Sequence, residues 1–354
     1  GYNMAYATIT KPSLQFNTKL YSGNGSTQNI TGVGFQPDLI WQKERTSTSY
    51  HVLTDRVRGN TKQLFPNVGA AEATSSLYIT SFDSDGFGQG QNDDTNQSGQ
   101  TYVAWNWKAA GSAGSTNNDG TIATTVSANT TAGFSIVKWT GTGSAGTLGH
   151  GLGAVPKTIW VKKTSQSDDW FIWHEGLGAE GKINFNNNSA NQNDAGYWNN
   201  TLPTNQVFSV TSNGANNASG QTYMAYCFTN ITGYSHFGTY KGNGSSSNAP
   251  FVGGTFVYTG FKPALIIGKY RDGTGDWYMW DNKRLGYNRD NNKIKTSDSA
   301  AETTEDWIDI YSNGFKFFNN SGDFNYANYS FIFMAWAAEP LVANVGESIP
   351  TTAR

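Results

Sequence analysis

The chain has a single cysteine, Cys227, so no intramolecular disulfide framework holds it together. Charge is scarce and balanced: 24 Lys+Arg stand against 26 Asp+Glu. A protein that tracks phosphates needs a basic excess, so no nucleic-acid partner is expected. No stretch approaches the roughly 20 apolar residues of a bilayer-spanning helix, and no membrane insertion is expected. Residues 1–16 carry no basic region followed by an apolar run, so no secretory signal is read there, and Met4 reads as the natural start. Without such a signal, triplets such as Asn24-Gly25-Ser26 and Asn230-Ile231-Thr232 read as turn chemistry rather than glycosylation sites.

What is abundant points to one fold class. Of 354 residues, 41 are Gly and 37 are Asn, a composition rich in turns. The 12 Trp, 18 Tyr and 20 Phe are enough large rings for substantial cores. No long helical periodicity appears, although residues 70–76 could form one helical turn. The expectation is an all-β protein.

The chain also resembles itself at three places. Tyr21-Ser22-Gly23-Asn24-Gly25-Ser26 returns as Trp139-Thr140-Gly141-Thr142-Gly143-Ser144 and as Tyr240-Lys241-Gly242-Asn243-Gly244-Ser245. A Gly-x-x-Pro segment follows each time, at Pro37, Pro156 and Pro263, with a lysine six residues later: Lys43, Lys162 and Lys269. Ser84-Asp85-Gly86 is matched with Ser212-Asn213-Gly214 and Ser312-Asn313-Gly314. Gly99 to Trp105 is matched with Gly220 to Tyr226 and, more loosely, Tyr329 to Trp336. The prolines stand 119 and 107 residues apart, a period that suits a whole small β domain.

Each anchor has a physical reading. Gly-Asn-Gly is a turn, because both residue types tolerate positive φ. Proline precedes a strand, where its missing N–H costs least. These strands are expected over 39–43, 158–162 and 265–269. In Tyr102–Trp107, Tyr102 and Ala104 alternate with Val103, Trp105 and Trp107. A strand apolar on both faces belongs in a packed layer or at an interface. The organisation follows: a leader over 1–13, a first repeat over 14–110, a linker with one strand at 121–126 plus a second repeat over 111–236, a third repeat over 237–340, and a tail over 341–354.

Phrases such as Val126-Ser127-Ala128-Asn129-Thr130-Thr131-Ala132-Gly133-Phe134, Gly149-His150-Gly151-Leu152-Gly153 and Thr222-Tyr223-Met224-Ala225-Tyr226-Cys227-Phe228 give the chain a likeness to known proteins. Together with Asp281-Asn282-Lys283-Arg284, they resemble an uncharacterised-domain family of bacteriophage virion proteins, of tail-fibre or minor structural type, over residues 14–340. The resemblance implies three tandem lectin-like, concanavalin-A-like or jelly-roll, antiparallel β-sandwiches, and a place on the virion. It supplies no catalytic residues.

Candidate sites are few. A glycosidase on such a sandwich displays paired carboxylates. The eight Glu show no such alternation, and Glu302 and Glu305 read as solvated surface. His51, His150, His174 and His236 are scattered, so no catalytic residue is assigned. Asp83 and Asp85 open like a calcium loop, but the later ligands are missing, and a turn is the preferred reading. Cys227 reads as a core thiol. Lys43, Lys162 and Lys269 read as a strand-end feature or a structural ion pair. Carbohydrate binding rests on two matched strands, Asp169-Trp170-Phe171-Ile172-Trp173 and Asp276-Trp277-Tyr278-Met279-Trp280. Trp170, Trp173, Trp277 and Trp280 are the candidate sugar platforms, although alternation favours core or interface packing for them.

The resulting expectation is a non-enzymatic virion protein without cofactors, of tail-fibre type, contacting host-surface glycans. Capsid decoration is the alternative, and a polysaccharide depolymerase the alternative from another class. Partners would be other virion proteins, with a homo-oligomer, a trimer, the guess.

Overall fold

The computed structural model describes residues 7–245, 253–284, 288 and 291–340, so the tail and the first six residues of the leader lie outside it. Strand makes up 45% of the structure and helix 6%, and among the described residues the ladders between strands are antiparallel, so the protein is all-β. No helix among the described residues is long and apolar enough to cross a membrane.

Three large sheets dominate. The first runs in the order Phe16–Ser22, Thr101–Trp107, Leu39–Glu44, Val52–Asp55, Lys62–Leu64, Ala73–Thr74. The third runs Ser235–Lys241, Ser330–Pro340, Phe261–Tyr270, Trp277–Asp281, Asn291–Lys295, Thr303–Glu305, the same order. The second contains that order, from Phe134–Thr140 through Thr222–Phe228, Thr158–Lys163, Trp170–His174 and Gly181–Asn184 to Gln192–Asn193. It also carries two extra edge strands, Ser115–Asn117 and Thr124–Asn129. The segment read as a linker is therefore largely folded into the second sheet. Residues 70–76 form no helical turn: Ala73–Thr74 is the edge of the first sheet, pairing with Lys62 and Gln63.

Each large sheet is covered by a smaller one. Gln28–Thr31, Gly86–Gln89 and Ile79–Asp83 cover the first, and Phe256–Tyr258, Gly314–Phe317 and Ile308–Tyr311 the third. Over the second there are only two strands, Gly146–Gly149 and Val207–Val210. Here the sequence matching fails. Asp85-Gly86 and Asn313-Gly314 turn hairpins, but the Asn213 side chain caps the short helix Gly214–Asn217. Its true counterpart is Asn92, capping Asp93–Asn96.

Burial on both faces accounts for the doubly apolar strands. Ala104 packs with Ile30, Ile40, Ile79 and Phe87 between the first large sheet and its cover. Val103, Trp105 and Trp107 point the other way, into a core shared by all three large sheets. At the heart of that core Trp107, Phe228 and Trp336 occupy matched registers, opposite Leu39, Thr158 and Leu265. Their ring centroids are 5.4 Å apart for Trp107–Trp336, 5.3 Å for Phe228–Trp336 and 6.4 Å for Trp107–Phe228. Such ring pairs contribute about 0.5–1.5 kcal/mol each beyond area burial.

The sheets close on one another in cyclic order. Asp168 N donates to Gly69 O at 2.8 Å, Gly275 N to Asn188 O at 3.0 Å, and Ser49 N to Ser299 O at 3.0 Å. Three residues on, Glu72 N donates to Thr164 O, Asn191 N to Arg271 O and Glu302 N to Arg45 O. A ring nitrogen meets a carbonyl at each junction: Trp170 with Phe65 O, Trp277 with Asn184 O, and His51 with Lys295 O. The second sheet thus binds the first, the third binds the second, and the first binds the third. The result is a closed ring around an aromatic axis.

Candidate functional site

The four tryptophans proposed as sugar platforms are all buried, at 0% exposure for Trp170 and Trp277, 1% for Trp280 and 2% for Trp173. Trp170 and Trp277 are junction residues, as their carbonyl partners show. Trp173 lies in the private core of the second sheet and donates to Gly178 O, and Trp280 packs on Phe317 and Phe324. A ring without an open face cannot stack on a sugar, so the carbohydrate reading of these residues is corrected. Their strands are sandwiched between two cores, which leaves neither face of the alternation in solvent.

Asp85 is a turn residue. Its carboxylate accepts from Gly32 N at 3.0 Å and Gly34 N at 2.7 Å, which holds its pKa below the usual carboxylate value. Among the described residues no three His, Cys, Asp or Glu side chains are grouped as metal ligands. Cys227 is fully buried, and burial pushes its thiol pKa up, the behaviour of a core residue.

The acids of interest are engaged in ion pairs. Glu302 accepts from Arg45, Arg284 and Asn292, and Arg284 also binds Asp281 at 2.7 Å. The first sheet repeats this arrangement with Asp55, Arg58 and Glu72. Both clusters are stitched across a junction: Tyr226 OH donates to Asp55 at 2.6 Å, and Trp105 Nε1 to Asp281 at 3.0 Å. In the second sheet His174 stands where the other two carry aspartate, and its Nε2 meets Phe333 O at 3.2 Å. Burial lowers the His174 pKa to about 4.

Lys43, Lys162 and Lys269 are buried at 0% exposure. Among the described residues none of them makes an ion pair, and their ammonium groups donate to carbonyls. Lys162 reaches Asp168 O at 2.8 Å and Gly69 O across the junction at 3.3 Å. Lys269 reaches Gly275 O and, across the next junction, Asn188 O. Lys43 donates to Glu44 O at 2.7 Å. Burial depresses all three to about 8. Of the two expected roles, strand-end feature or ion pair, the first fits: each lysine stands near the end of its strand, and Lys162 and Lys269 also fasten a junction.

The recurring polar constellation that reaches the surface is a corner of two stacked turns. In the Gly-x-Gly turns the two glycines have different duties. The first approaches another turn so closely that a Cβ would lie 2.1 Å from Gln97 O, 2.2 Å from Ala218 O or 2.2 Å from Tyr326 O. The second has φ of 70°, 74° and 69° at Gly25, Gly143 and Gly244. Each turn is clamped by a buried asparagine absent from the sequence reading: Asn96, Asn217 and Asn325. The amide oxygen accepts from Asn24 N, Thr142 N and Asn243 N respectively, at 3.0–3.1 Å. The amide nitrogen donates to Ser26 O, Ser144 O and Ser245 O. A signal for them exists, since Asn96-x-Ser-Gly-Gln-Thr101 recurs as Asn217-x-Ser-Gly-Gln-Thr222. Beyond each clamp the residues 97–99, 219–220 and 326–328 are exposed. The corners present side chains to solvent from a rigid base, which suits recognition.

Comparison with curated proteins finds no match, and comparison with solved structures finds none. One family model spans residues 11–340, and with that coverage the chain belongs to the family described as a domain of unknown function (DUF7483).

Proposed function

We propose that the chain is a non-enzymatic structural protein of a bacteriophage virion, of tail-fibre or receptor-binding type. In this reading it is three tandem lectin-like β-sandwiches, and its exposed corners contact host-surface glycans. The observation that carries the reading is the closed ring. Three sheets of one strand order bind head to tail around a common axis, the geometry of a threefold particle appendage compressed into one polypeptide. The likeness of the sequence to virion proteins supports it. So does the engagement of Asp55, Glu72, Asp281 and Glu302 in internal pairs, which leaves these acids to hold the structure together. Binding of the intact chain to a glycan array and to bacterial cells tests the proposal. Specific retention by either is the expected result, and no retention of the folded protein on any array or cell would refute receptor binding.

A further inference from the structure

The three corners serve as internal controls for one another, and one of them is different. The first is lined by Gln97, Gln100, Glu44 and Thr46, with Thr46 Oγ1 donating to Gln100 Oε1 at 2.6 Å. The second has Ala218, Gln221, Lys163 and Ser165, with Ser165 Oγ donating to Gln221 Oε1 at 2.8 Å. At the third corner the matching positions are Tyr326, Tyr329, Tyr270 and Asp272. The supporting backbone is the same. Asn328 has φ of 66° where Gly99 and Gly220 have 82° and 72°, and Tyr329 O accepts from Gly242 N as Gln100 O does from Gly23 N. The fold therefore builds this corner without aromatic residues twice, and packing does not demand them the third time.

The three tyrosines form a ladder. Tyr270 and Tyr329 stack at 4.4 Å and 10°, and Tyr326 lies on Tyr329 at 4.6 Å and 49°. The inner end is closed by the loop at Gly273, where a Cβ would fall 2.4 Å from the Tyr270 ring. The outer end is open: Tyr326 is 47% exposed. Beside the ladder, Arg271 and Asp272 pair at 2.7 Å with side chains 32% and 43% exposed.

We infer that this corner, Tyr326, Tyr329 and Tyr270 with Asp272 and Arg271, is a binding site for a pyranose ring. A pyranose has a flat C–H face and a rim of hydroxyls, which matches an amphipathic ring platform edged by one carboxylate and one guanidinium. Three rings fall far short of the roughly 800 Å² per side buried in a stable protein contact. The neighbouring carboxylate and the internally paired arginine disfavour a phosphate backbone, so stacking on nucleobases is not the match. The inference rests on the glycan-binding reading above and names its site.

Saturation-transfer NMR on the intact chain tests it, with methyl β-D-galactopyranoside, methyl α-D-glucopyranoside and N-acetylglucosamine as probes and sorbitol as a hydroxyl-matched acyclic control. Transfer to ring protons of at least one pyranoside and not to sorbitol is expected. It should fall at least fivefold in Tyr326→Ser and in Tyr329→Gln, and stay unchanged in Gln97→Ala. Tyr329→Gln installs the residue the other two corners already use, so that variant keeps its fold. No transfer to any pyranoside, or equal transfer in Tyr329→Gln, overturns the site. Glycan-array binding that survives both tyrosine substitutions sinks the site but leaves the receptor-binding reading standing. No retention of the unaltered chain on any array or cell removes both.

Discussion

Raising the pH from 7.5 to 9 should make this protein more stable, because of Lys43, Lys162 and Lys269. Burial at the sheet junctions lowers each from 10.5 to about 8, so the folded protein releases these protons first. Between about pH 8 and 10.5 the unfolded chain holds more protons than the folded one, and stability climbs with pH. The fall from 10.5 to about 8 corresponds to a cost of about 3 kcal/mol per lysine at neutral pH. Replacing one by methionine removes that cost but leaves carbonyls such as Asp168 O without their donor, at about 1 kcal/mol. Lys162→Met should therefore be neutral to about 2 kcal/mol more stable at pH 7. Urea midpoints at pH 7.5, 8.2 and 9 are the assay. The unaltered protein should show a rising midpoint, and the triple Lys→Met variant should lose most of the slope. Lys293, also lowered to about 8, and Lys182, likewise lowered by burial, remain to supply the rest. The series stops at pH 9, above which the buried Cys227 and then Tyr226 and Tyr234, all raised by burial, act in the opposite sense. A midpoint that falls over this window, or a triple variant with the original slope, would refute the reasoning.

Further outcomes are expected elsewhere in the molecule. Asn217→Ala removes a buried amide bonded to Thr142 N, Ser144 O and Thr211 O, and should cost about 2–4 kcal/mol in denaturant titration with no change in m-value. Asp55→Ala leaves the Arg58 guanidinium, at 2% exposure, without its closest carboxylate and should cost about 3–5 kcal/mol by the same measurement. On the acid side, His51, His150, His174 and His236 are all lowered by burial, His174 to about 4. The unfolded chain takes up protons first as pH falls from 6.5, so thermal stability should drop between pH 6.5 and 4, and less steeply in His174→Phe. Trp170→Phe breaks the bond to Phe65 O and should cost about 1 kcal/mol, while leaving any glycan-array signal intact.

Local features of the fold were legible in the sequence, whereas its closure was not. The turn glycines, the strands led by Pro37 and Pro156, and the two-faced strand Thr101–Trp107 all follow from residue type and alternation. The ring does not, because many of its recurring contacts run between main-chain groups such as Glu72 N and Thr164 O, which any side chain permits. The lysines are visible at constant spacing, but carbonyl partners leave no trace in sequence, so the spacing alone does not separate a strand-end feature from an ion pair. The tryptophans misled for a related reason. Alternation shows that Trp170 and Trp173 take opposite faces, but not that both faces are covered. Matching Ser212-Asn213-Gly214 to a hairpin failed because Asn-Gly serves a helix cap as readily as a turn.

Covalent continuity around the ring frees its vertices to diverge. An assembly of three identical subunits must repeat every change at all of them, whereas here a substitution at position 326 alters one vertex and leaves Gln97 and Ala218 as they were. A single polypeptide can thereby devote one vertex to contact with the outside and keep the other two for holding its shape.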